Sequence, residues 1–226
     1  MDKAIRPLSL AWLIAANTHN YSYRFSWMGM RIIQFPQDII AMQEIIYRMK
    51  PDLIIETGVA HGGSAVFYAS MLELIGGRGE VIGIDIDIRK HNMDRIRRHP
   101  MYRRITLIQG SSTDEKIVRK VRKKAHEKHR ILVCLDSSHT HEHVLKELDL
   151  YSPLVRKEGY VVVFDTSIED MPDDFFPDRP WKSGNSPRTA VSEFMQRNRR
   201  FVIDSEIDER LLVSACYGGF LKCVKN

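Results

Sequence analysis

Residues 53–67 read LIIETGVAHGGSAVF, and the fold turns on this stretch. Leu53 to Glu56 is a short, nearly all-apolar run of the kind a strand buried on both faces needs. Gly58, Gly62 and Gly63 follow as a turn, and Ser64 opens a helical pattern. Glycines let a backbone approach a ligand closely, and a helix N-terminus supplies unpaired N–H groups. A dinucleotide site calls for G-x-G-x-x-G. Here the spacing is Gly58-x-x-x-Gly62-Gly63, with an acid two positions before the first glycine, which favours a ligand carrying an amino group. Glu56, Gly58, Ala60, Gly62 and Ser64 are therefore candidate contacts to a nucleoside-type ligand.

Outward from that turn, similar runs recur at Val81 to Asp85, Ile105 to Gln109, Ile131 to Asp136 and Tyr160 to Asp165. Helix-compatible stretches separate them at Ser64 to Leu74, Arg89 to Arg98, Glu115 to Lys128 and His143 to Leu154. The order βαβαβαβαβ predicts an α/β, Rossmann-like doubly wound sheet, mostly parallel. At the tail, Phe201 to Ile203, Leu211 to Ala215 and Phe220 to Val224 read as strands. Gly218-Gly219 joins the last two as an antiparallel hairpin. Residues 1–50 show no strand alternation and are expected to form an arm and helical cap, with Ile39, Ile40, Met42, Ile45 and Ile46 on an amphipathic helix entered at Pro36. Residues 51–226 form the ligand-binding domain on this reading.

The chain has 226 residues, 43% hydrophobic and 28% charged, enough for one α/β domain with a sizeable core. Its three cysteines, Cys134, Cys216 and Cys223, sit in apolar runs, which suits buried thiols in a reducing compartment better than a disulfide framework or a zinc site. Leu8 to Ala16 is long enough for a signal-peptide core, but Asp2 and the polar segment from His19 to Arg24 fit a cleavage region poorly. An N-terminal helix or arm is expected instead, and its apolar run suggests a homo-oligomer. No run reaches the roughly 20 apolar residues of a membrane span, and a cytoplasmic protein is expected.

Two further features concern chemistry. Asp85 ends the second strand of the series, where a carboxylate can accept hydrogen bonds from ribose hydroxyls, and Ser111 and Ser112 after the third strand suit the edge of an adenine ring. Asp136 and Asp165 end the fourth and fifth strands at the same edge. Carboxylates gathered there repel one another unless they share a cation, for which magnesium with its oxygen ligands is suited, although Asp136 is also a candidate helix cap. His139, three residues beyond Asp136, can face the same cavity and take a proton from a substrate hydroxyl. His141 and His143 read as a loop and helix-start pair without a zinc spacing. The segment from Asp165 to Pro187, with Phe175, Phe176 and Trp181, is long for a loop in a compact domain and reads as either a lid or a packed surface loop.

The stretches quoted so far, extended to 51–71, 81–87 (VIGIDID), 135–155 (LDSSHTHEHVLKELDLYSPLV), 159–166 (GYVVVFDT) and 217–224 (YGGFLKCV), together resemble the cephalosporin hydroxylase and rhamnosyl O-methyltransferase family. The upstream segment 27–46 resembles that family's entry segment. The resemblance implies S-adenosylmethionine bound by the glycine-turn residues, Asp85, Ser111, Ser112 and Asp136. Macrolide-sugar O-methyltransferases are similar, and likeness to them implies magnesium on Asp136 and Asp165, His139 as base, and a sugar or glycoside hydroxyl as acceptor. Where such proteins commonly end the fifth strand with Glu-Asp, this chain has Phe164-Asp165, so one expected carboxylate is missing. Two other function classes stay in view. Basic regions at 95–104 and 116–130, with a net charge of +5, suit phosphate contacts and a nucleic-acid-binding or nucleic-acid-modifying protein, though no aromatics are interleaved for base stacking. A non-catalytic partner protein that keeps the fold is the other, motivated by Phe164.

Overall fold

The computed structural model describes residues 5–226; Asp2, which bears on the signal-peptide reading, lies outside the described residues. The chain opens with helix α1 (Ile5–Thr18), a hairpin of β1 (Phe25–Trp27) and β2 (Met30–Ile32), and helix α2 (Pro36–Met49). Alternation then begins with β3 (Leu53–Thr57), α3 (Gly63–Ile75), β4 (Glu80–Asp85), α4 (Lys90–Arg98), β5 (Ile105–Gln109), α5 (Glu115–Ala125), β6 (Ile131–Leu135), α6 (His141–Tyr151) and β7 (Tyr160–Val163). It finishes with α7 (Pro187–Arg197), β8 (Phe201–Ile203), α8 (Ser205–Leu211) and β9 (Phe220–Cys223).

Seven strands form one sheet in the order β5-β4-β3-β6-β7-β9-β8. The five expected strands run parallel, and β9 lies antiparallel between β7 and β8. Every residue of β3 and β6 is buried, as the apolar run of β6 and the apolar start of β3 require, with Glu56 and Thr57 buried at the end of β3; two apolar clusters cover the two faces of the sheet. Full burial of each such Val, Leu or Ile side chain contributes roughly 1.5–3 kcal/mol. The order of the strands reverses between β3 and β6, which opens a crevice beyond their carboxyl ends. No helix among the described residues is long and apolar enough to cross a membrane.

Three expectations fail. The first fifty residues do contain strands: Met28 and Gly29, both with positive φ, turn the β1–β2 hairpin, whose three-residue strands are too short to show alternation. Trp27 packs edge-on to Phe67 at 4.8 Å and donates to the Ser70 hydroxyl at 2.9 Å, so the hairpin clasps α3. Ile40, assigned above to the apolar face of α2, is exposed. Leu211 to Ala215 is not a strand. It leaves α8 as irregular chain with Leu212 at φ 52°, and β9 pairs with β8 instead. The irregular path has a purpose in packing: it delivers the Ala215 carbonyl to Ser167 N and Thr166 Oγ1, and the Ala215 amide to buried Asp38.

The three cysteines are free and buried, in line with their apolar settings.

Candidate active site

The β-ladder hydrogen bonds continue one step past the strand ends. Gly58 N donates to Ile84 O, Asp136 N to Thr57 O and Phe164 N to Leu135 O. This carries the glycine turn, Asp136 and Asp165 to one edge of the sheet, where they border a cleft of about 650 Å³.

The β3–α3 side of the cleft is shaped by backbone. Gly58 has φ +87°, and a Cβ there would lie 1.9 Å from the carbonyl oxygen of Asp136. A Cβ on Gly63 would lie 2.1 Å from the carbonyl oxygen of Arg31. Ala60 also has positive φ, and Gly62 caps α3 with no side-chain bond, leaving the first-turn amides of α3 free of a side-chain cap. Asp85 clamps this turn: its Oδ2 accepts from Val59 N at 2.8 Å and Ala60 N at 3.0 Å, while Oδ1 accepts from Asp87 N. Ser111 and Ser112 stand beyond β5 on the same wall.

Gly58, Ala60, Ser64, Asp85, Ser111, Ser112, Asp136, His139 and Asp165 all line the cleft, whereas Glu56 and Gly62 stand behind its wall. Glu56 is 1% exposed and neither carboxylate oxygen has a hydrogen-bond partner. Burial pushes its pKa up to about 8; the nearby Ser64 hydroxyl opposes that rise without meeting hydrogen-bond geometry, and the charge of Asp85 adds to it.

The β6–β7 side is made of side chains. Asp136, His139 and Asp165 each bring a ligand atom within 4.8 Å of the others. Asp136 is no helix cap, since α6 starts at His141 behind Thr140. Burial, then the charges of Asp165, Glu56, Glu147 and Asp38, drive its pKa far above the usual carboxylate range. Asp165 sits at φ 57° with no side-chain capping bond, which aims it into the cleft. Its Oδ2 lies 3.2 Å from His139 Nε2, and Trp181 meets the His139 ring edge-on at 4.8 Å. Phe164, at the position where the resemblance led to an expected acid, is buried in the core. Two crowded carboxylates and an imidazole form a donor set that fits a hard divalent ion, whose charge would relieve the repulsion between Asp136 and Asp165.

The long segment after Asp165 is pinned rather than loose. Glu169 accepts from Gly184 N and the Ser186 hydroxyl, and Arg188 forms a two-pronged pair with Asp170 at 2.7 and 2.6 Å. Of the remaining histidines, His141 ties α6 to α7 through Thr189 and Glu193. His143 is more than a helix-start residue: it lines the cleft, and its Nε2 lies within hydrogen-bond distance of both Ser112 and Ser137. Asp38 was also passed over. It is buried in the first turn of α2, accepts from Ser214 and Ala215, and borders the cleft. An acid on the apolar face of an amphipathic helix was the available signal.

The strand order, the glycine turn and the ligand edge define a class I methyltransferase fold, and solved structures agree. A CmcI structure with Mg and SAM superposes with a TM-score of 0.62 at 21% identity, covering 89% of this chain and 77% of that one. The MycE methyltransferase of the mycinamycin pathway, in complex with Mg, SAH and mycinamycin VI, gives a TM-score of 0.52 at 20% identity over 86% of this chain and 50% of that one. The chain belongs to the Rhamnosyl O-methyltransferase/CmcI family, whose profile matches residues 19–224. A rhamnosyl O-methyltransferase of Mycobacterium bovis is 32% identical over 166 residues, and the match spans 70% of this chain and 66% of that relative's length.

Proposed function

We propose that this chain is an S-adenosylmethionine-dependent O-methyltransferase, assisted by a divalent cation such as magnesium, that acts on a hydroxyl of a sugar or glycosylated small molecule. The observation that carries the reading is the meeting, in one cleft, of a backbone-built cradle with the Asp136, His139 and Asp165 cluster. The named substrates of the family and of MycE support the acceptor class.

When bound, the cofactor supplies an electrophilic methyl group and the cation a Lewis acid for the acceptor oxygen. The chain does the rest. Asp85 keeps lone pairs for ribose hydroxyls while it fixes the turn, Ala60 and Ser64 present polar backbone at the helix start, and Ser111 and Ser112 bound the base. Glu56 stands behind the cleft wall with two unpartnered oxygens, so a cofactor ammonium would reach it only if the glycine turn shifted. Asp136 and Asp165 hold the cation. With Asp165 given over to the cation, and no longer bonded to Nε2, His139 would accept the acceptor's proton at that nitrogen, its ring positioned by the edge-on Trp181.

One tension is built into this assignment, because the same Nε2 cannot both bind the cation and take the proton. Metal affinity in His139→Ala separates the two: unchanged affinity keeps it as base, and a large loss makes it a ligand.

Nucleic acid fits the cleft poorly, since no lysine or arginine of α4 or α5 lines it. In the same reading residues 1–50 serve as arm and cap to the cofactor-binding unit, and the exposed Ile5, Leu8 and Trp12 of α1 support self-association.

The test is calorimetry with S-adenosylmethionine, with and without magnesium, joined to a mass-shift screen of sugar-containing metabolites. Cofactor binding and a methyl gain that a chelator suppresses are expected. Absence of cofactor binding at millimolar ligand overturns the reading. Transfer that ignores the chelator removes the metal step alone.

A further inference from the structure

The opposite edge of the sheet, where the parallel strands begin, carries a second cavity of about 350 Å³. Arg48, His129, Arg130, Arg156, Lys157 and Lys222 line it. They come from the end of α2, the loops entering β6 and β7, and β9, segments far apart in sequence that the fold brings together. Among the described residues the lining holds one acidic side chain, Glu158, and it is paired with Lys222 at 3.0 Å.

The remaining cations are poorly matched. Arg48 donates to the Tyr160 hydroxyl at 2.8 Å and stands 3.8 Å from Asp204. Arg156 donates to Nδ1 of His129 at 2.9 Å, so a guanidinium has taken an imidazole where a carboxylate is the stronger partner. Among the described residues Arg130 and Lys157 have no side-chain ion pair. The backbone at both is nonetheless fixed: Asp52 accepts from His129 N and Arg130 N, both at 3.0 Å, and Asn226 Oδ1 accepts from Lys157 N at 2.9 Å.

A bland account exists for part of this. Helix C-termini attract cations, and Arg48 lies in the last turn of α2. That reason does not reach Arg130, Arg156 and Lys157, which sit in loops, or Lys222, which sits in a strand. Arg48, His129, Arg130, Arg156 and Lys157 are exposed, so water screens part of their mutual repulsion; gathered round one recess they still favour an anion placed among them. Guanidinium forks match tetrahedral oxyanions in two-pronged fashion. Among the described residues of the lining, Tyr160 is buried and engaged with Arg48 and the His129 ring is held by Arg156, so neither is free to stack on a nucleobase.

We infer that this cavity binds a phosphate-bearing anion, as a free phosphate or diphosphate or as the phosphate group of a lipid headgroup, at a site separate from the methyl-transfer cleft. The inference does not depend on the function proposed above.

Calorimetric titration of the full chain with inorganic diphosphate at low salt tests it. One saturable site is expected, weakened on the order of tenfold or more in Arg130→Ala/Arg156→Ala. It should be unchanged in Lys120→Ala/Lys123→Ala, which removes equal charge from exposed positions on α5. Lys157→Glu, another exposed position, gives an independent variant should the first pair fold poorly. Cofactor affinity stays constant throughout. Absence of saturable binding overturns the inference, as does equal weakening in both double variants, which would mark general charge attraction. Sedimentation with phosphatidylcholine vesicles, with and without phosphatidic acid, identifies the source: retention lost in Arg130→Ala/Arg156→Ala assigns a headgroup, and diphosphate binding without retention assigns a free anion.

Discussion

The two halves of the cleft are built by different means. Over β3, β4 and β5 the surface is backbone, shaped by positive-φ residues and clamped by one carboxylate, with almost no room for an added atom. Over β6 and β7 it is a set of titratable side chains that lean on one another and on a pinned loop. Backbone makes a shape that any sequence change must respect, whereas the side-chain half sets charge and can lose function while keeping its form. Binding and chemistry should therefore fail separately.

The strongest way to break that division is Gly58→Ala. With φ +87° and the Asp136 carbonyl 1.9 Å from the new Cβ, the change strains the turn and displaces β6. A loss of about 3 kcal/mol or more is expected, seen as a fall in Tm of about 10 °C. A variant that melts like the parent would show the cradle to be pliable. Next in size, His139→Ala should slow methyl transfer by on the order of 10²–10⁴ while cofactor affinity moves little. Asp85→Ala should do the reverse, weakening the cofactor by roughly tenfold to a hundredfold through the loss of charge-assisted hydrogen bonds. Comparable losses of rate and affinity in both variants would erase the distinction between the halves.

A smaller effect concerns pH. Burial raises Asp38 from 3.8 to about 7; hydrogen bonds from Ser214 and Ala215 oppose the rise, and the charges of Asp165 and Asp208 add to it. Above the unfolded value the folded chain retains a proton that the unfolded chain releases, so this contribution is complete at low pH and is lost as pH climbs through 7. Each retained pKa unit is worth about 1.4 kcal/mol. Thermal melts from pH 5 to 8 should show the decline, and Asp38→Asn should flatten it; Glu56 contributes with the same sign, its loss ending nearer 8. An unchanged slope in Asp38→Asn would remove Asp38 as the cause. Least of all, Trp181→Ala should raise the acceptor's KM several-fold through lost packing on His139, with cofactor affinity intact.

The sheet was legible because strands buried on both faces announce themselves as unbroken apolar runs, and the edge residues Asp85, Asp136 and Asp165 because they end those runs. Three-residue strands such as Phe25–Trp27 carry too little pattern to be read. Leu211, Leu212 and Val213 looked like a strand since composition alone does not reveal Leu212's positive φ or the need to deliver Ala215 to Ser167. Glu56 was placed in the cleft because sequence gives proximity to Gly58 but not which way a side chain points, and β3 turns it beneath the wall. His143 and Asp38 join the cleft through contacts with Ser112 and Ser214, partners remote in sequence.

The segment around Ala215 also bears on how the molecule comes into being. Ser167 and Thr166, the residues that fix the bend at Asp165, both bond to the Ala215 carbonyl, and Val163 N bonds to that of Gly219. During synthesis β3, β4, β5 and β6 leave the ribosome well before these partners do. A nascent chain can thus assemble the cradle for its ligand while Asp165 is still unanchored, and it becomes competent for chemistry only when the stretch from Ser214 to Cys223 has threaded back beside β7.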